Sequence, residues 1–245
     1  MFYYVLKYVL LGPLLRLLFR PRAEGLEHVP VKGAAIVAGN HLSFADPLLM
    51  PAVLKRRITF LAKAEYFQAP GLTGRLTALI LHDAGQISVD RTGRAAGETA
   101  IREGLGVLAK GELLAIYPEG TRSPDGRLYK GKVGVAAMAL AAQVPVIPCA
   151  MVGTFEIRTP ERVLPRIRPV AIRTPERVLP RVRPVAIRFG EPLDFSRFMG
   201  MPGDKTVLRA VTDEITYAIL QLSGQEYVDR YAADVKAGQA KGGRR

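Results

Sequence analysis

Residues 34–54 read AAIVAGNHLSFADPLLMPAVL. The apolar run Ala34–Gly39 has the length and bulk of a buried strand. Asp46-Pro47 has the form of a helix start, with Asp46 as N-cap and Pro47 at the first helical position. Pro47–Leu54 then carries a helical pattern. A strand that turns within a few residues into a helix is the unit from which parallel sheets are built, and the same alternation recurs outward along the chain. Further strand-like runs are Ile58–Ala62, Gln86–Val89, Leu113–Tyr117, Val144–Met151 and Val185–Phe189. Helix-period stretches separate them at Leu72–Leu81, Ala95–Ala109 and Lys132–Ala142, and Lys205–Leu222 is expected to close the domain. The expected fold is α/β, a mostly parallel central sheet covered by helices.

The chain has 245 residues, enough for one large domain with small appendages. Hydrophobic residues make up 49%, which supplies a core and excludes global disorder. The formal net charge of +13 suits an anionic partner, whether lipid headgroup, nucleic acid or acidic carrier. No aromatic-interleaved basic segment accompanies that charge, so no nucleic acid is expected. One cysteine, Cys149, excludes an intrachain disulfide, and three scattered histidines lack metal-ligand spacing.

Three domains are expected. Residues 1–22 begin with the apolar MFYYVLKYVLLGPLLRLLF, roughly 30 Å long as a helix. Lys7, Pro13 and Arg16 interrupt it. A helix or helix pair lying in one leaflet, with Arg20 and Arg22 at the headgroups, suits these residues better than a span. Residues 23–225 form the α/β domain. Residues 226–245 should be a short helix and a basic, disordered tail containing Lys236 and Lys241. Within the domain, Ile157–Ala171 and Ile172–Ala186 are tandem fifteen-residue copies that differ only at Ile167 and Val182. Pro160, Pro165 and Pro169 exclude a regular helix. Doubling a loop costs about 0.6 kcal/mol in closure entropy, so the surplus copy is expected to loop out on the surface without function.

Asn40 and His41 sit at the carboxyl end of a strand, where open α/β sheets place ligands. The turn to Asp46 can fold back and bring its carboxylate to one imidazole nitrogen, leaving the other to act as a base on a hydroxyl. Ser43 has no nucleophile elbow around it and reads as structural. Tyr117–Ser123, YPEGTRS, follows another strand. Gly120 permits a tight turn, Arg122 can grip a phosphate with two parallel hydrogen bonds, and Glu119 can accept from a sugar or glycerol hydroxyl. Lys130 in YKGKVG precedes a helix, and Arg91 in SVDR follows a strand. Together these cations suggest a phosphate pocket.

NHLSFADP, QISVDR, YPEGTRS with YKGKVG, and VPVIPCAMVGT resemble, in that order, four blocks of the glycerolipid acyltransferases with the HX4D motif. Bacterial 1-acyl-sn-glycerol-3-phosphate acyltransferases are the member type most alike. The resemblance covers roughly residues 20–195 and implies transfer of a fatty acyl group from acyl-CoA or acyl-carrier protein to the 2-hydroxyl of lysophosphatidic acid. On that pattern His41 is the catalytic base and Asp46 its partner. Arg91, Glu119, Gly120, Thr121, Arg122 and, more weakly, Lys130 bind the acceptor, while Asn40 and Pro148 shape the site. No cofactor or metal is implied beyond the acyl donor. The partners are a membrane lipid acceptor, acyl-CoA or acyl-carrier protein, and the membrane surface. The expected location is the cytoplasmic face of the cell membrane, peripheral or monotopic. The motifs do not choose between lysophosphatidic acid and another lysophospholipid, glycerol-3-phosphate or a glycolipid. A non-catalytic basic membrane-surface protein would need only residues 1–22 and the Arg-rich copies.

Overall fold

A computed structural model describes residues 6–64, 67, 71, 85–89, 96–157, 185–198, 200–201 and 203–242. Seven strands form one sheet: β1 (Arg22–Glu24), β2 (Ala35–Gly39), β3 (Ile58–Lys63), β4 (Gln86–Val89), β5 (Leu113–Ile116), β7 (Val146–Val152) and β8 (Ala186–Phe189). Their order is β1-β8-β7-β2-β5-β3-β4. From β7 to β4 neighbouring strands run parallel, whereas β8 runs antiparallel to β7 and carries β1 beside it. A second, two-stranded parallel sheet joins β6 (Leu128–Tyr129) to β9 (Tyr227–Val228). The α/β reading with a mostly parallel sheet therefore holds.

The strands are apolar on both faces because helices cover both. Ala35 and Val37 of β2 face one core with Leu113 and Ala115 of β5 and Ile147 and Cys149 of β7. That face is covered by α2 (Asp46–Val53) through Leu49 and Met50. Ile36 and Ala38 face the other core with Leu114 and Val146, under α3 (Ala96–Ala109), α4 (Gly134–Ala142) and α5 (Lys205–Ser223). The two-residue alternation of a strand is thus split between two cores.

Connectivity opens the site. From β2 the chain crosses by α2 on one face to β3, beyond β5. From β5 it crosses by α4 on the opposite face to β7, beyond β2. The adjacent parallel strands β2 and β5, with Ala38 opposite Ile116, therefore send their exit loops to opposite sides. A crevice forms at such a switch point, beyond the carboxyl ends of the strands.

The amino-terminal segment makes a π-type turn at Leu6–Leu10 and then helix α1, Leu11–Phe19. Leu15 is buried in the first core and Phe19 packs against it. The Lys7 ammonium donates to the Leu54 carbonyl and Arg16 Nη2 to that of Ala52 at 2.9 Å. Both charges therefore satisfy carbonyls at the end of α2, which has no helical partner for them. Burial, then the nearby Arg16 charge, lowers the Lys7 pKa to about 8. Val9, Leu14, Leu17 and Leu18 stay exposed, Leu17 by 71%. Arg22 does not sit with this helix but starts β1, its N–H donating to the Val185 carbonyl at 2.8 Å. Among the described residues no helix is long and apolar enough to cross a membrane.

Two expectations need correction. Residues 226–245, expected as a short helix and a disordered tail, do hold a helix, α6 (Ala232–Gly242), but it is preceded by β9 and runs through most of the expected tail. Tertiary pairing with Leu128–Tyr129 overrides local preference there. The other concerns Asp46, which is the first residue of α2 rather than its N-cap. The N-cap position is Ala45, without a side-chain cap. Most of the duplicated segment, residues 158–184, lies outside the described residues, as does the expected helix over Leu72–Leu81.

Candidate active site

The Asp46 carboxylate turns back over the loop before its own helix. Its Oδ2 accepts from the backbone N–H of Leu42 at 2.7 Å and of Ser43 at 2.8 Å. The same oxygen lies 2.9 Å from His41 Nδ1. An ionised carboxylate only accepts, so Nδ1 carries the hydrogen and Nε2 is left as the basic nitrogen. Asp46 is fully buried, whereas the His41 side chain keeps 18% exposure, which gives a reactant access to the ring and not to the acid. Asp46 Oδ1 and the Tyr117 hydroxyl are buried with no hydrogen-bond partner among the described residues. The Tyr117 ring stacks on the imidazole at 4.0 Å between centroids and 10° between planes. Burial, then the Asp46 charge, raises the Tyr117 pKa well above its ordinary value. The phenol is therefore a neutral plate that fixes the ring plane.

Glu119 is engaged by the backbone. It is 1% exposed, and both its oxygens are taken: Oε1 accepts from His41 N and Oε2 from Tyr129 N, each at 3.1 Å. It ties the His41 loop to the loop after β5 and to β6. Ser123 N adds a second tie, donating to the His41 carbonyl at 2.7 Å. Desolvation raises the Glu119 pKa to about 7, outweighing the two backbone hydrogen bonds that lower it. Ser43 is structural, as read: its hydroxyl donates to the Ile157 carbonyl at 2.6 Å.

The cations sort into two groups. Lys130 Nζ is held by Asp229 at 2.8 Å, in an ion pair whose acid is largely exposed. Arg122 is exposed on the turn and has no ion-pair partner among the described residues. Gly120 adopts φ +70°, and the end of the Lys132 side chain lies 3.2–3.3 Å from where a Cβ would stand. Lys236 of α6 donates to Thr121 Oγ1 at 2.9 Å and to the Arg122 carbonyl. Arg91 lies outside the described residues.

Asn40 is buried and bonds β7 in both directions: Nδ2 donates to the Met151 carbonyl at 3.1 Å, and Oδ1 accepts from Met151 N at 2.7 Å. Its Nδ2 also reaches Gln225 Oε1 at 2.6 Å, and Gln225 donates on to the Gly126 carbonyl. Pro148 belongs to the sheet rather than the loops, beside Ala38 of β2 and accepting from Gly190 N at 2.8 Å. No group of three or more His, Cys, Asp or Glu residues that could hold a metal lies among the described residues.

Sequence reasoning missed Tyr117, Lys132, Lys236 and Gln225. Tyr117 was within the quoted motif, at the last position of an apolar run ending beside the His41 strand, and that adjacency was its only signal. Lys236 and Gln225 are far from the motifs in sequence and gave none.

A model of the Acyltransferase family matches residues 20–152. The 1-acyl-sn-glycerol-3-phosphate acyltransferase of Limnanthes douglasii is 34% identical over 134 residues, covering 54% of this chain and 45% of that protein. The protein of the same name from Borreliella burgdorferi is 28% identical over 130 residues, covering 53% and 50%. The chain thus spans about half the length of the curated relatives it matches. Among solved structures, the 1-acyl-sn-glycerophosphate (LPA) acyltransferase PlsC of Thermotoga maritima superposes with a TM-score of 0.54 at 25% identity, covering 82% of this chain and 71% of that one.

Proposed function

The chain belongs to the acyltransferase family, and on that footing we propose that it moves a fatty acyl group from acyl-CoA or acyl-carrier protein to the 2-hydroxyl of lysophosphatidic acid, giving phosphatidic acid. The observation that carries this reading is the 2.9 Å contact between His41 Nδ1 and Asp46 Oδ2, in a loop hydrogen-bonded directly to the Arg122 turn through Glu119 and Ser123.

In the proposed reaction His41 Nε2 removes the proton of the acceptor hydroxyl as the oxygen attacks the thioester carbonyl. Asp46 stabilises the imidazolium that forms. Collapse of the tetrahedral intermediate breaks the carbon–sulfur bond, and the imidazolium returns its proton to the departing thiolate. General-base assistance of this kind is worth roughly 10²–10⁴ in rate. Arg122 holds the acceptor phosphate, and the family resemblance assigns Arg91 to the same task.

The exposed Val9, Leu14, Leu17 and Leu18 support a position in one leaflet, at the cytoplasmic face of the cell membrane, where a lipid acceptor is met. Lys7 and Arg16 favour that over a span, since both are bonded to the α/β domain.

The test is to incubate purified protein with labelled acyl-CoA and, separately, lysophosphatidic acid, glycerol-3-phosphate, a lysophosphatidylcholine and a glycolipid. Labelled phosphatidic acid from the first is the expected product. Label entering only another acceptor would overturn the acceptor assignment, and label entering none would overturn acyl transfer.

A further inference from the structure

Helix α6 brings Lys236 to the Thr121–Arg122 turn from 115 residues away. Its ammonium is half-buried and fixed by two acceptors, Thr121 Oγ1 and the Arg122 carbonyl. An ammonium has three donors, and the third has no partner among the described residues. Burial, then the neighbouring Arg122 charge, lowers the Lys236 pKa, while Glu119 acts weakly the other way.

The surrounding acids do not balance these cations. Glu119 offsets part of the Lys236 charge, but burial pushes its carboxyl up to about 7, which weakens that offset. Asp229 is engaged by Lys130, and Asp125 by Arg127 at 2.7 Å. The Lys132 side chain approaches the same turn over Gly120. Three cations from separate segments therefore ring one turn, two of them close enough to oppose each other's charge. A neutral donor would staple α6 to Thr121 without that repulsion, so stapling alone does not account for a lysine here.

We propose that Lys236 is a binding residue for the acceptor's phosphate monoester, making helix α6 one wall of the acceptor site. The identity of the ligand rests on the function proposed above. A dianion between Lys236 and Arg122 would turn their mutual repulsion into shared attraction and take up the third N–H. The Thr121 and Arg122 contacts hold the ammonium in place beforehand, which limits the entropy lost on binding.

The experiment measures equilibrium binding of labelled 1-acylglycerol-3-phosphate and of labelled 1-acylglycerol to detergent-solubilised protein, for wild type, Lys236→Gln and Lys236→Arg. Gln keeps an N–H donor, one bond nearer the backbone, and removes the charge, and the unphosphorylated lipid controls for the change of shape. Lys236→Gln should weaken binding of the phosphorylated lipid about tenfold, and Lys236→Arg should recover most of it. Binding of the unphosphorylated lipid should not change. Equal weakening of both lipids would mean a structural staple, and no weakening of either would mean no contact; each overturns the proposal. Acyl transfer is assayed in the same samples. If wild type binds the phosphorylated lipid in a Lys236-dependent way but forms no product, the transfer reading fails and the binding assignment stands.

Discussion

Asp46 concentrates three donors on one carboxylate oxygen: His41 Nδ1 and the N–H groups of Leu42 and Ser43. Its charge and its acceptor geometry are both in use, and the two can be separated. Asp46→Asn keeps an acceptor of the same size and removes the charge that stabilises the imidazolium. It should lower kcat by about 10²–10⁴ with little change in acceptor KM, read by steady-state kinetics. Glu119 gives a contrasting case. Glu119→Gln sets an amide N–H against one of two backbone donors, so the variant should lose about 1–3 kcal/mol of stability in denaturant unfolding. Its pH dependence follows from the raised pKa. The folded protein holds the Glu119 proton more tightly than the unfolded chain does, so this group's contribution is best at low pH. It declines as pH rises from the ordinary 4.5 to about 7. The wild-type minus Glu119→Gln stability difference should therefore shrink across that window; a constant difference would contradict the buried carboxyl. His41 and Asp46 were legible in the sequence because a five-residue separation and a helix start fix their proximity locally. The partners of Glu119 and Lys130, Tyr129 N for one and Asp229 for the other, were not legible because they come from chain return rather than spacing.

At the level of elements, the amino-terminal segment divides its residues between two environments. Leu15, Lys7 and Arg16 face the domain, and Leu14, Leu17 and Leu18 face outward. Replacing those three outward leucines with serine should reduce sedimentation with anionic lipid vesicles by roughly tenfold or more while leaving the unfolding midpoint in place. Unchanged vesicle binding would remove this helix from the membrane contact. Gly131 marks a different requirement, close packing of α5 on the loop before α4. A Cβ there would lie 2.9 Å from Thr216 Oγ1 and 3.0 Å from Thr212 Cγ2. Gly131→Ala should destabilise the fold by about 1–3 kcal/mol, measured by thermal or denaturant unfolding. The longer strands were readable to within two residues, since their apolar runs carry enough pattern. β1, β6 and β9 are two or three residues long and have no period to read. The antiparallel sense of β8 also escaped, because direction is set by what a strand pairs with.

Over the whole molecule, the alternation of strands and helices was sufficient for the α/β class, and crossovers on opposite faces place a switch point at the carboxyl ends of β2 and β5. That topology explains why the His41 loop and the Glu119–Arg122 turn meet, although 78 residues separate His41 from Glu119. The contribution of the carboxyl-terminal helix could not be read beforehand, because only the closed fold carries Lys236 back to Thr121. The central claim is that the His41 imidazole activates an acceptor hydroxyl in this crevice. Its most direct test is the initial rate of phosphatidic acid formation by purified His41→Ala protein, with folding checked by circular dichroism. A folded variant slowed by roughly 10² or more relative to wild type is the predicted result; a folded variant that turns over at the wild-type rate would contradict it.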